Sequence, residues 1–183
     1  MIALVTGANK GIGYAIAAGL GALGWTVGVG ARNGQRREAA VERLRGGGAD
    51  AFGVPLDITD ESSVAAAAQL IQERSGRLDV LVNNAGVAGS WPDHPTALTA
   101  AGIRAVVEAN VIGVVTVTNA MLPLLRRSAH PRIVIQSSHV GSLTLQTTPG
   151  LDLGGISGHM RRPRHSSMPS PSSTRKNSPT PTS

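Results

Sequence analysis

A short apolar run, Ile2-Ala3-Leu4-Val5, passes directly into Thr6-Gly7-Ala8-Asn9-Lys10-Gly11-Ile12-Gly13, and residues 14–23 then carry a helical pattern. Strand, glycine-rich turn and helix in immediate succession leave the chain few options. The turn presents backbone N–H groups at the positive end of a helix, which is a ready anion site. Gly7 permits a tight reversal, Gly11 lets backbone approach a pyrophosphate, and Gly13 allows the helix to pack closely on the strand. The whole turn, Gly7, Asn9, Lys10, Gly11, Ile12 and Gly13, is therefore a candidate cradle for the phosphates of a dinucleotide. A plain βα turn rich in glycine has the same composition, but the strand before and the helix after are the context that the phosphate-binding form requires.

Strand and helix patterns go on alternating, which predicts an α/β fold built on a doubly wound parallel sheet. Strands are expected over 25–30, 51–56, 78–82 and 132–136, and helices over 36–44, 61–74, 97–109 and 111–127. Asp60 is placed to cap the third helix and Gly76 to close it. Residues 141–157 read as a loop. From Gly158 the texture changes: the last 26 residues hold 7 Ser, 5 Pro and 3 Thr, and no Leu, Ile, Val or Ala. A segment of that kind has nothing apolar to bury, so the reading is one domain over 1–157 and a disordered basic tail over 158–183.

The net charge of +6 belongs to that tail. Of 17 basic residues, Arg161, Arg162, Arg164, Arg175 and Lys176 lie in it, and the remaining 12 face 11 acidic residues. A nearly neutral body and a tail without interleaved aromatics argue against a nucleic-acid binder. No run reads as long and apolar enough to span a bilayer, and the first strand lacks the basic flank of a signal peptide, so the cytoplasm is the expected compartment. With no cysteine in the chain, disulfides and thiol catalysis are excluded. His94, His130, His139, His159 and His165 show no paired metal-ligand spacing, so no metal site is expected.

Four further features fall where a doubly wound sheet places its ligands, at the carboxyl ends of the strands. Asp57 ends the third strand, where a carboxylate can meet an adenine edge. Asn83-Asn84-Ala85-Gly86 ends the fourth. Asn110 lies between two predicted helices, ahead of Val111 and Gly113. Ser137 and Ser138 end the fifth strand, followed by Gly141. Taken singly, each has an ordinary reading as a turn former, a helix cap or a strand-end hydroxyl. In this order over residues 2–157 they resemble the short-chain dehydrogenase/reductase family, on its carbonyl-reductase side.

That resemblance implies a Rossmann-type fold, incomplete here after the fifth strand, and an NAD(P)(H)-dependent oxidoreductase acting on a small carbonyl or alcohol. Carried across, Ser138 polarises the substrate oxygen, Asn110 holds a water in a proton relay, and Asn83, Ala85 and Gly86 line the cofactor crevice. Arg32 follows the second strand, where an acid would select the ribose hydroxyls of NAD and a base accepts the 2′-phosphate of NADP. With Lys10 in the phosphate turn, the pair favours NADP(H) over NAD(H). A non-catalytic NADP-binding protein is the alternative. Intact family members are usually homo-oligomers, and this chain lacks part of that interface.

The sequence departs from the family in one respect. The family pattern needs a tyrosine with a lysine four residues later, which lowers the tyrosine pKa for acid–base work. Tyr14 is the only tyrosine, and Lys176 the only lysine after Lys10. The expectation is a chain inactive as written. Shifted by two nucleotides from the Gly158 codon, the degenerate codons allow a tyrosine in place of Met160 and a lysine in place of Arg164. A one-nucleotide deletion near Gly158 is the expected cause. In the restored frame, residues 142–157 would form an inserted loop near the substrate mouth.

Overall fold

The computed structural model describes residues 1–89, 97–138 and 141–149. Within them the chain runs β1 (Ile2–Thr6), α1 (Gly11–Ala22), β2 (Thr26–Ala31), α2 (Gly34–Gly46), β3 (Ala51–Pro55), α3 (Glu61–Ser75), β4 (Val80–Asn83), α4 (Ala100–Val107), a π-helical turn (Glu108–Ile112), α5 (Gly113–Leu125), β5 (Arg132–Ile135) and α6 (Leu143–Thr147). The five strands form one parallel sheet in the order β3-β2-β1-β4-β5, so the winding reverses between β1 and β4. The doubly wound α/β architecture read from the sequence is the one observed.

The pleat of β1 sorts the core into two layers, because successive strand residues face opposite sides. Ile2 and Leu4 join Phe52, Val54 and Leu81 under Val64 and Ile71 of α3 and Val117, Met121 and Leu124 of α5. Ala3 and Val5 join Val27, Val29, Val80 and Val82 under Ala17 of α1 and Ala40, Val41 and Leu44 of α2. Side chains such as Leu4, Ile71 and Leu81 are fully buried, each contributing about 1.5–3 kcal/mol.

Local signals set most element ends. Asp60 caps α3 by accepting from the Ser62 and Ser63 N–H groups, and Gly76 closes it at φ +67°. Asn33 caps α2 by accepting from the Arg36 N–H at 2.9 Å, which starts that helix two residues earlier than its apolar pattern suggests. At the amino ends of β1 and β4, buried Asp79 accepts from the Ile2 N–H at 2.8 Å, the Ser128 hydroxyl at 2.6 Å and Arg77 Nε at 3.3 Å. That clasp occupies the residue before β4, and the strand begins at Val80 rather than at 78.

Two expectations are corrected. The two helices predicted to meet at Asn110 are one continuous run, Ala100–Leu125, in which the π-helical turn holds Asn110 inside the helix rather than at a cap. Joined, they are long and apolar enough to cross a membrane, contrary to the reading of two shorter segments. Here, however, Val117, Met121, Leu124 and Leu125 of that run form a wall of the core. The second correction is α6, inside the predicted loop: its N-cap Ser142 accepts from the Leu145 N–H. Residues 150–157 and the tail 158–183 lie outside the described residues.

Candidate functional site

The glycine turn between β1 and α1 opens onto a cavity of about 680 Å³ that crosses the carboxyl ends of four strands. Its lining comes from Leu56 to Thr59 beyond β3, from Ala31, Arg32, Asn33 and Arg36 at the end of β2 and the start of α2, from the turn itself, from Asn84 to Val87 beyond β4, and from Ala109. This is the crevice that the reversal of winding at β1 and β4 leaves open.

The turn is built as a cradle. Gly7 and Gly11 stand at φ +67° and +57°, a region that side chains with a Cβ disfavour. Lys10, the N-cap of α1, makes no side-chain hydrogen bond to the first turn, so no side chain of the cap competes for the N–H groups there. A Cβ on Gly13 would lie 2.5 Å from the Gly7 carbonyl oxygen, so α1 packs against the turn only because that position is bare.

The turn is fixed from below by the segment after β4, 78 residues away. Thr6 Oγ1 accepts from the Asn84 and Ala85 N–H groups at 2.9 Å each and donates to the Val82 carbonyl at 3.3 Å. The Asn84 amide donates to the Thr6 and Gly7 carbonyls at 2.8 and 3.4 Å. The glycine turn and the segment after β4 are thereby tied into one floor.

Charge is distributed unevenly around this floor. Among the described residues, the side chains of Lys10, Arg32 and Arg36 have no hydrogen-bond or ion-pair partner, and all three line the cavity. Neighbouring Arg37 instead donates to the Ala31 carbonyl and pairs with Glu38. Asp57 is the one carboxylate in the lining, and its Oδ1 accepts from the Thr59 N–H and hydroxyl at 3.0 and 2.8 Å. Three uncommitted cations against one engaged carboxylate suit a polyanionic ligand. The bare glycine cradle with its α1 N-terminus suits phosphates. A phosphorylated dinucleotide therefore fits the residues present.

Of the residues singled out from sequence, Gly7, Asn9, Lys10, Gly11, Ile12, Gly13, Arg32, Asp57, Ala85 and Gly86 lie in the cavity wall. Asn83 does not. It is the last residue of β4, is buried, and donates to Thr118 Oγ1 at 3.1 Å on the α5 side of the sheet. The alternation of the strand hands the cavity to Asn84 instead. Asn110 stands behind the wall: its Oδ1 accepts from the Val87 N–H and its Nδ2 donates to the Val87 carbonyl, both at 2.8 Å. Ser138 is exposed beyond β5, outside the cavity lining, where its carbonyl accepts from the Gly141 N–H.

Sequence reasoning placed Asn84 in the motif after the fourth strand without giving it a role, and it missed Arg36 and Ile58. Arg36 was within reach, since recognising Asn33 as a cap puts residue 36 in the first turn of α2, one turn from Arg32. Ile58 carries no chemical signal. Among the described residues there is no group of three His, Asp or Glu able to hold a metal.

Comparison with known proteins gives the family. A family model described as short chain dehydrogenase matches residues 1–149. "Short-chain dehydrogenase anuI" of Penicillium roqueforti is 38% identical over 152 residues, which cover 81% of this chain and 60% of that protein. A solved actinorhodin polyketide ketoreductase with NADPH superposes at a TM-score of 0.70 with 37% identity, covering 75% of this chain and 52% of that one. A 7α-hydroxysteroid dehydrogenase complexed with NADH and 7-oxo glycochenodeoxycholic acid superposes at 0.69 with 30% identity, covering 75% and 52%. The chain spans a little over half the length of the curated relatives it matches.

Proposed function

The chain belongs to the short chain dehydrogenase family, and on that premise we propose that its cavity holds NADP(H) in preference to NAD(H), in the service of hydride transfer to or from a small carbonyl or alcohol. Solved neighbours carry NADPH in one case and NADH in another, so the choice of nucleotide rests on this chain's own residues. The observation that carries it is the trio Lys10, Arg32 and Arg36, uncommitted around the cradle. NADP differs from NAD by a 2′-phosphate on the adenosine ribose, and Arg32 follows β2, where that ribose is held.

When bound, the nucleotide supplies the hydride; the protein supplies orientation and electrostatics. The first turn of α1 would hold the pyrophosphate, and Asn84 keeps that turn in register through Thr6 and Gly7. Asp57 would face the adenosine end. Ser138 is proposed to donate a hydrogen bond to the substrate oxygen as charge develops on it. Because the Asn110 amide is committed to Val87, a water held there in a proton relay would have to use the backbone of residue 110.

Tyr14, the one tyrosine, lies on α1 with the Arg43 guanidinium 4.2 Å from its ring centroid. Its packing against the α1–α2 core layer supports the second reading, a chain that binds nucleotide without appreciable turnover. Titration calorimetry of the purified chain with NADP+ and NAD+ tests the first reading. Arg32→Gln and Arg36→Gln should each weaken NADP+ by roughly 10-fold or more and leave NAD+ nearly unchanged, since a hydrogen bond to a charged group contributes about 1.5–3 kcal/mol. Equal losses for both nucleotides would refute the assignment. Sustained NADPH oxidation with a carbonyl panel would refute the second reading.

A further inference from the structure

The π-helical turn Glu108–Ile112 interrupts a long helix where Asn110 and the following Gly113 meet two residues of the cavity lining, Val87 and Ile58. On one side, the Asn110 amide and the Val87 peptide group exchange two hydrogen bonds of 2.8 Å, a pairing that needs a donor and an acceptor on one short side chain. Gly86 stays bare beside it: a Cβ there would sit 3.0 Å from Asn110 Oδ1. On the other side, Gly113, the first residue after the turn and buried, faces Ile58. A Cβ on Gly113 would meet the Ile58 carbonyl oxygen at 2.8 Å and its carbonyl carbon at 3.2 Å, which are backbone atoms that cannot swing aside. Ala109, next to Asn110, forms part of the cavity wall.

Val87 and Ile58 belong to the segments after β4 and β3, which lie on opposite sides of β1 and β2 in the sheet. No strand pairing joins them. We propose that the π-helical turn is a spacer that sets the separation of these two cavity walls, with Asn110 gripping Val87 and Gly113 seated against Ile58. The wider turn lets both residues, only three apart, address different walls. Turns of this kind are frequent at functional sites. Asn110 and Gly113 are thus positioning residues for the bound nucleotide, acting through Val87 and Ile58. That last step rests on the dinucleotide reading; the spacer itself does not.

Two measurements on the full chain separate the claims. In the ligand-free protein, amide hydrogen exchange of Asn110→Ala should speed up at Val87 and also over residues 57–59, because releasing one wall frees the other. A change confined to residues 84–89 would overturn the spacer. In NADP+ titrations below the variant's melting temperature, Gly113→Ala should bind at least fivefold more weakly, because the overlap with the Ile58 backbone outweighs the gain in helix propensity and also lowers the apo melting temperature. The losses in Gly113→Ala and Asn110→Ala should not multiply in the double variant, as they would for independent sites. Binding within twofold of wild type for Gly113→Ala, or multiplying losses, would overturn it. If the wild-type chain binds no NADP+ while the exchange pattern holds, the spacer stands and the dinucleotide reading falls.

Discussion

Gly13 and Gly19 lie on the same face-spanning helix, α1, and the structure predicts opposite outcomes for the same substitution. A Cβ on Gly19 meets nothing within 4 Å, whereas a Cβ on Gly13 falls 2.5 Å from the Gly7 carbonyl oxygen and 2.4 Å from Asn84 Nδ2. Gly19→Ala therefore gains helix propensity alone, about 1 kcal/mol, or roughly 2–4 °C in melting temperature for a chain of this size. Gly13→Ala has the same gain set against overpacking of about 1–3 kcal/mol and loss of Asn84 hydrogen bonds at about 1 kcal/mol each. The net is a destabilisation of about 1–3 kcal/mol. Because the displaced atoms are the floor of the cradle, nucleotide affinity should fall with it. Thermal melting of both variants, followed by NADP+ titration below the lower melting temperature, is the assay. If Gly13→Ala melts at or above wild type and binds NADP+ unchanged, the close packing of α1 on the glycine turn has no energetic role and the argument fails.

Other perturbations probe separate parts. Burial, the largest influence on Asp79, pushes its carboxyl up, but the Ser128 hydroxyl, the Ile2 N–H, Arg77 and the N-terminal amine outweigh it and hold it below the usual carboxylate range. A depressed folded pKa means that its stabilisation is complete above the unfolded value of about 3.9 and is lost as pH falls through the folded one. Asp79→Ala should cost about 1–3 kcal/mol at pH 7, from the Ile2 N–H left buried without an acceptor, and the gap to wild type should shrink in denaturant titrations near pH 3. Asn84→Ala should release the glycine turn, read as faster amide exchange at residues 6–13, with weaker NADP+ binding and a smaller loss of stability than Gly13→Ala. The frameshift reading predicts a tyrosine and a lysine codon in the shifted frame around codon 158; other codons there would refute it.

The doubly wound parallel fold was legible because apolar pleats and glycine punctuation are local signals, and α3 carries an explicit cap at Asp60 and a closing Gly76. The cradle was legible for the same reason. Asn83 and Asn84 show where locality ends. Their identities are the same, and only the register of β4 decides that one hydrogen-bonds Thr118 and the other reaches the glycine turn. The continuous helix Ala100–Leu125 was hidden differently. Asn110 is a residue that ordinarily caps a helix, so the sequence suggests a break. Tertiary contacts with Val87 and Ile58 instead absorb it in a π-helical turn. The Arg36 contribution depends on counting from the cap rather than from the apolar pattern, and Ile58 depends wholly on packing.

The central claim is that the three uncommitted cations make this cradle a site for the phosphorylated dinucleotide. Amide shift maps of the isotope-labelled chain titrated with NADP+ and with NAD+ test it most directly. Both nucleotides should move residues 7–13 and 84–87, and the difference between the maps should concentrate at Arg32, Asn33 and Arg36. Perturbations that avoid the glycine turn, or a difference map blank over residues 32–36, would contradict the account.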